Sequence, residues 1–235
     1  MGRKDLECLV GKLRSMHLAV PGVVAYILHI QRALNQGGVD RACLSPAFHR
    51  ELADWKVLAL QAASRTTHLA KNFRQGHTHL GFCDASGLEA EGVWLNLGGT
   101  GNNLVRLHPW PADVTAELVF STNPHDTITN SDLGIDALVL KEATLLESVP
   151  KACMSAPRLG SDNTLTVSWS TCKALVINQV IADLLCICAL HSRKIVLDPT
   201  IFYHPGQENC MADDASLLFY LSDTAFLTHM YVVYP

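Results

Sequence analysis

The chain has 235 residues, of which 49% are hydrophobic and 17% charged, with a formal net charge of −4. This composition excludes a disordered chain and advertises no basic face, so a nucleic-acid partner would need a local basic patch or basic regions elsewhere in a larger protein. The eight cysteines form no C-x-x-C pair, which excludes the common zinc spacings and suits reduced thiols in an intracellular chain (cytoplasm or nucleus).

Lys4, Asp5, Glu7, Lys12 and Arg14 interrupt the first twenty residues, so no secretory signal is expected. The most apolar stretch, "SMHLAVPGVVAYILHIQ", carries His17, Pro21, Gly22 and His29 and is not expected to span a membrane. Leu6, Leu9, Val10 and Leu13 recur at helical spacing and predict an amphipathic helix over 5–20, broken by "VPG". A second helix is expected over 23–35. Ser45 as N-cap and Pro46 in the first turn open a third, which runs to about residue 64. Residues 1–76 are therefore predicted to be a mainly helical segment.

The pattern changes near residue 77. "THLGFCD", "GVWLNL" and "NLVRLHPW" are short strands joined by turns, an antiparallel meander. "NSDLGIDALVLKEATLLESV" predicts a helix, "APRLGSDN" a short strand ending in an acid, and "VINQVIADLLCICALHS" a helix. "KIVLDPTIFYHPG" then predicts a strand and loop, and "CMADDASLLFYLSD" a closing helix. "GGTGNN" lies between two strands and opens no helix, so it reads as a hairpin turn, not a phosphate loop. The order is α/β with an antiparallel start, not a doubly wound one.

Acids stand at element ends: Asp84 after the first strand, Asp162 after the fourth, Asp213 and Asp214 in the closing helix. Taken singly, each could accept turn or cap hydrogen bonds. Brought together at one end of a sheet, they would repel one another unless a cation held them. An oxygen-only cluster suits Mg²⁺ or Mn²⁺.

Order and acids together resemble the ribonuclease H domain of retrotransposon Pol polyproteins, the domain attached to reverse transcriptase. "GFCDASGLEAEGVWL" is similar to that family's first hairpin, "SDNTLTVSW" to its fourth strand and following turn, and "YHPGQENCMADDAS" to its "PG-x-x-N…AD-A-x-S" ending. The resemblance spans roughly 77–222. It implies a ribonuclease H-like mixed five-stranded sheet flanked by helices, with residues 1–76 as the connection segment and 223–235 as a C-terminal tail. It further implies hydrolysis of the RNA strand of an RNA–DNA hybrid by two metal ions, with Asp84, Asp162 and Asp213 as catalytic metal ligands. Asp214 and His204 are accessory candidates, and His204 equally reads as a loop histidine. Trp169, Ser86 and Asn163 are candidate nucleic-acid contacts. No Tyr-x-Asp-Asp polymerase signature is present, so the resemblance implies a fragment or truncated copy.

The sequence departs from the family where a metal-bridging Glu is expected early in the first helix of the domain; the matching position is Gly134. Asp136 lies about 200° around that helix and reads as a solvent-facing acid, while Asp132 reads as a cap. Leu217 replaces an Arg, and Cys186 and Cys188 stand where exposed polar residues are expected. These departures read as a decaying copy. The alternative function is a non-catalytic ribonuclease H-fold domain that packs or grips nucleic acid.

Overall fold

In the computed structural model, which describes residues 1–16, 26–36, 38, 40–64, 79–87, 90–98, 103–119, 124, 126–149, 157–172, 179–194 and 199–234, three helices come first. They are α1 (Arg3–Ser15), α2 (Leu28–Gln36) and α3 (Pro46–Ser64). The apolar spacing of α1 buries Leu6, Val10 and Leu13, as amphipathic periodicity requires. The predicted cap of α3 is formed, with the Phe48 amide donating to Ser45 Oγ at 3.1 Å. The α2 N-terminus receives a carboxylate from α3: the His29 and Ile30 amides donate to Glu51 at 3.1 and 2.8 Å. The "VPG" break and the loop residues 99–102 lie outside the described residues.

The strands are β1 (His79–Ala85), β2 (Ala90–Asn96), β3 (Asn103–Pro109), β4 (Pro157–Ser161) and β5 (Thr200–Tyr203). They form one mixed sheet in the order β3-β2-β1-β4-β5. The β1–β2 and β2–β3 pairs are antiparallel; β1–β4 and β4–β5 are parallel. This is the mixed five-stranded sheet flanked by helices that the sequence predicts. Because side chains alternate across a strand, Cys83, Val93 and Leu95 face one side, with Leu138 and Leu145 of α5 (Asn130–Ser148) and Cys188 of α7 (Gln179–Lys194). Phe82 and Trp94 face the other side and pack with Ala212 of α8 (Cys210–Leu217).

Four features go beyond the sequence reading. A short helix, α4 (Ala112–Ala116), follows β3. A helix, α6 (Thr164–Cys172), follows β4 where only a turn was read; its Thr, Val and Ser content is poor in helix formers, but Asn163 caps it. Residues 223–233, within the expected C-terminal tail, form α9 (Asp223–Val233), which buries Phe226 and Met230 with Ala215, Val105 and Leu107. Cys186 and Cys188 do not sit on an exposed face: Cys188 is buried and Cys186 half-buried, because the N-terminal helices cover one flank of α7 and α5 the other. The N-terminal core of Leu6, Ile30, Phe48 and Trp55 continues into Ile135, Ile181 and Leu185. Cys8, Cys43, Cys83, Cys186, Cys188 and Cys210 carry free thiols. Among the described residues, no helix is long and apolar enough to cross a membrane.

Candidate metal centre

β1 and β4 run parallel, so their C-terminal ends point the same way, and the acids that follow the two buried runs emerge side by side. α8 crosses the opposite face of β1 and β2 and brings a third acid to that edge. Asp84, Asp162 and Asp213 each offer a carboxylate oxygen, and these atoms all lie within 4.8 Å of one another. Among the described residues, no other group of three or more His, Cys, Asp or Glu side chains converges in this way. Beside the carboxylates opens a cleft of about 230 Å³, lined by Asp84, Asp162, Ser161, Asn130, Gly134 and Asn163 among others.

Two side chains hold the acids in place. Ser216 Oγ donates to Asp84 Oδ2 at 2.6 Å. Asn209 Nδ2 donates to Asp213 Oδ1 and to the Cys83 carbonyl, both at 3.2 Å, tying α8 to the end of β1. Neither residue was singled out from the sequence, although both lie within the quoted motif ending. Their spacing was the available signal: positions four before and three after Asp213 are its neighbours on one helical face. α8 can approach this closely only because β2 carries Gly92, where a Cβ would lie 2.5 Å from the Ala212 carbonyl and the Ser216 nitrogen.

The electrostatics call for a cation. Burial pushes the Asp213 carboxyl up to about 7, and the neighbouring Asp84 and Asp162 charges push the same way against the Asn209 hydrogen bond. Burial also raises Asp162; Asp84 adds to this and His204 opposes it. The Asn209 Oδ1 atom is buried and finds no hydrogen-bond partner among the described residues. An all-oxygen set with mutual repulsion and an unpaired acceptor beside it fits Mg²⁺ or Mn²⁺.

The accessory candidates separate. His204 stacks on Phe82, with ring centroids 4.4 Å apart, and stands 3.9 Å from Glu208. Asp214 turns away from the cluster: His229 Nε2 and Tyr234 Oη donate to its Oδ2 at 2.7 and 2.9 Å, which locks α9 onto α8. The Ser86 carbonyl accepts from Trp110 Nε1 at 2.8 Å. Asn163 lines the cleft and caps α6. Trp169 packs against the N-terminal helical core. Asp132 forms the expected capping box with Thr129. Asp136 is half-buried, not solvent-facing as read from the sequence. Burial raises its pKa and His108 lowers it, and its charge helps push buried Glu91 up to about 9.

No family model and no curated protein sequence matches the chain. Among solved structures, the chain is similar to LC11-RNase H1 in complex with an RNA/DNA hybrid, at 16% identity and a TM-score of 0.46 over 58% of this chain and 92% of that one. It is similar to RNase H1 from the halophilic archaeon Halobacterium salinarum NRC-1, at 15% identity and a TM-score of 0.45 over 59% and 96%. A foamy viral protease-reverse transcriptase in complex with double-stranded DNA matches 87% of this chain and 38% of its own, at 9% identity and a TM-score of 0.37.

Proposed function

We propose that residues 77–222 act as a ribonuclease H-like domain that hydrolyses the RNA strand of RNA–DNA hybrids with divalent metal. One observation carries this reading: three acids far apart in sequence, two at strand ends and one in the first turn of α8, converge within 4.8 Å beside an open cleft. In the sequence, the three motifs that resemble the ribonuclease H domain place their ligands at the same three positions.

Asp84, Asp162 and Asp213 hold Mg²⁺ or Mn²⁺ in this reading. A bound ion of this kind favours deprotonation of a water and offsets charge on the leaving oxygen of a phosphodiester. Ser216 and Asn209 fix the rotamers of Asp84 and Asp213, so the carboxylates need no reorganisation on binding. The cleft faces substrate with the Asn130 and Asn163 side, and a hybrid is told from duplex DNA there by backbone shape and 2′-hydroxyls. Residues 1–76 serve as the connection to a reverse transcriptase portion of the same polyprotein.

A second reading has its own observation. The cleft wall at Gly134 carries no acid, which favours a non-catalytic domain that grips nucleic acid without cutting it. A labelled RNA–DNA hybrid incubated with the full chain and Mg²⁺ or Mn²⁺, beside Asp84→Asn, separates the two. Cleavage by the parent alone supports hydrolysis. Cleavage by neither, with retained binding, supports the gripping domain. Equal cleavage by both rejects the metal centre.

A further inference from the structure

α9 has two faces without charge. The inner one, Phe226 and Met230, clusters with Ala215, Val105 and Leu107. The outer one, Thr224, Leu227, Thr228 and Tyr231, is exposed, and it follows the i, i+3, i+4, i+7 spacing of a second packing stripe. After Asp223 in the first turn, the helix carries no Asp, Glu, Lys or Arg. Its one histidine, His229, is turned inward onto Asp214. A surface helix ordinarily gives its outer face to charged residues, and one that is apolar all round is a covered helix.

The bareness is local. Among the described residues, large exposed hydrophobic side chains elsewhere stand in ones and twos along the chain, as on any surface. Six of the fourteen fall within 217–233: Leu217, Tyr220, Leu227, Tyr231, Val232 and Val233, with Leu227 60% and Tyr231 81% exposed. None of them lines the cleft beside the carboxylates. The helix is also held in place before any partner arrives. Ser222 Oγ accepts from the Ala225 amide at 3.4 Å, and Asp214 takes both His229 and Tyr234. A partner meeting this face therefore has little left to order.

Charge and size decide what covers it. A partner with charged groups in the contact would lose their hydration and find no opposite charge on α9. A second α9 brings no such cost. Scaling each exposed fraction by about 60–120 Å² for a Val or Leu side chain and about 150–250 Å² for an aromatic one gives on the order of 500 Å² per copy. Two copies would bury about 1,000 Å², the lower limit for a specific interface and the size of a weak, reversible one.

We propose that the outer face of α9, extended by Leu217 and Tyr220, is a homodimer interface covered by the same face of a second copy of this chain. Set antiparallel across a two-fold axis, the stripe meets itself. Leu227 and Tyr231 of each copy fall beside the smaller Thr228 and Thr224 of the other, and the tyrosine hydroxyls stay wet at the rim. The cleft remains open in both copies.

Sedimentation velocity and light scattering on the full chain, from low-micromolar to near-millimolar concentration, test it. The parent is expected to pass from monomer to dimer as concentration rises, and no further. An isologous contact repeats every substitution, so Tyr231→Lys and Leu227→Lys each set two like charges at the seam. Both are expected to stay monomeric with the parent's Tm. Val57→Lys, at an exposed position of α3, is expected to dimerise as the parent does. A parent that stays monomeric throughout, growth beyond the dimer, a dimer that survives both α9 variants, or one lost equally in Val57→Lys would overturn the inference. Two separate α9 variants keep the test decisive if one of them fails to fold.

Discussion

The molecule contains two sets of neighbouring acids, one at the ends of β1 and β4 and one between β2 and α5. Asp84 and Asp162 line an open cleft with Asp213 beside them, and Asp84 and Asp213 accept hydrogen bonds from Ser216 and Asn209. Glu91 of β2 and Asp136 of α5 interact where the helix packs on the sheet, and Glu91 Oε2 is buried with no hydrogen-bond partner among the described residues. Like charges converge in both places, but the first set lies beside an open cleft with donors on two of its members, whereas Glu91 is buried. The first could hold a cation, whereas burial favours a proton on Glu91 in the second. Acidity alone therefore does not mark a site here; access and orientation do.

Changes at the open set should have the largest effects. Asp84→Asn should abolish divalent-dependent cleavage of the hybrid and also Mn²⁺ binding, while melting close to the parent; an unchanged titration would place the ion elsewhere. Asn209→Ala should weaken Mn²⁺ binding by about 10- to 100-fold. It also removes the hydrogen bond to the Cys83 carbonyl, at a cost of about 0.5–1.5 kcal/mol in denaturant unfolding. Wild-type affinity in that variant would remove Asn209 from its positioning role. Gly92→Ala should force α8 off β2, costing about 1–3 kcal/mol as overpacking does. Tm should fall by roughly 2–4 °C per kcal/mol in a chain of this size.

The closed set gives a pH signature. Burial, with Asp136 adding to it, raises Glu91 from its ordinary value of 4.5 to about 9. The folded state thus holds a proton that the unfolded chain releases. Its contribution to stability is fully present below pH 4.5 and lost as pH rises through 9. Glu91→Gln should melt with the parent near pH 4.5 and progressively above it toward pH 9; parallel melting curves across that window would reject the protonated pair. The smallest change is expected at the α9 lock. Tyr234→Phe removes one hydrogen bond to Asp214, about 0.5–1.5 kcal/mol, and should leave Mn²⁺ binding untouched.

Much of this was legible in the chain itself. Alternation in "GFCD" and "GVWL" marks the strands, Ser45-Pro46 marks a helix start, and acids at the ends of apolar runs mark the open set. What could not be read depends on which faces distant elements cover. Cys188 looked exposed because nothing in "LLCICALHS" shows that α5 packs on one flank and the N-terminal helices on the other. Asp136 looked solvent-facing because its neighbours, Glu91 and His108, come from β2 and β3. α9 was missed as packed structure because its surroundings, Val105 and Leu107, lie more than a hundred residues earlier. Gly134 reads as a lost side chain until Thr166 is seen against it.

The tie between β1 and α8 has a consequence for the order of assembly. The Ser216–Asp84 bond spans 132 residues and the Asn209–Cys83 bond 126. Contacts this distant along the chain are slow to form, since a long loop must close before they reward it. The β1–β3 meander can pair early, but the open acid set exists only once α8 has docked, and docking brings three like charges together. A divalent ion that binds only the docked state would draw that step forward by mass action. In that sense the cation would serve as a folding ligand before it serves as a reagent, and refolding in chelator should slow in its last phase.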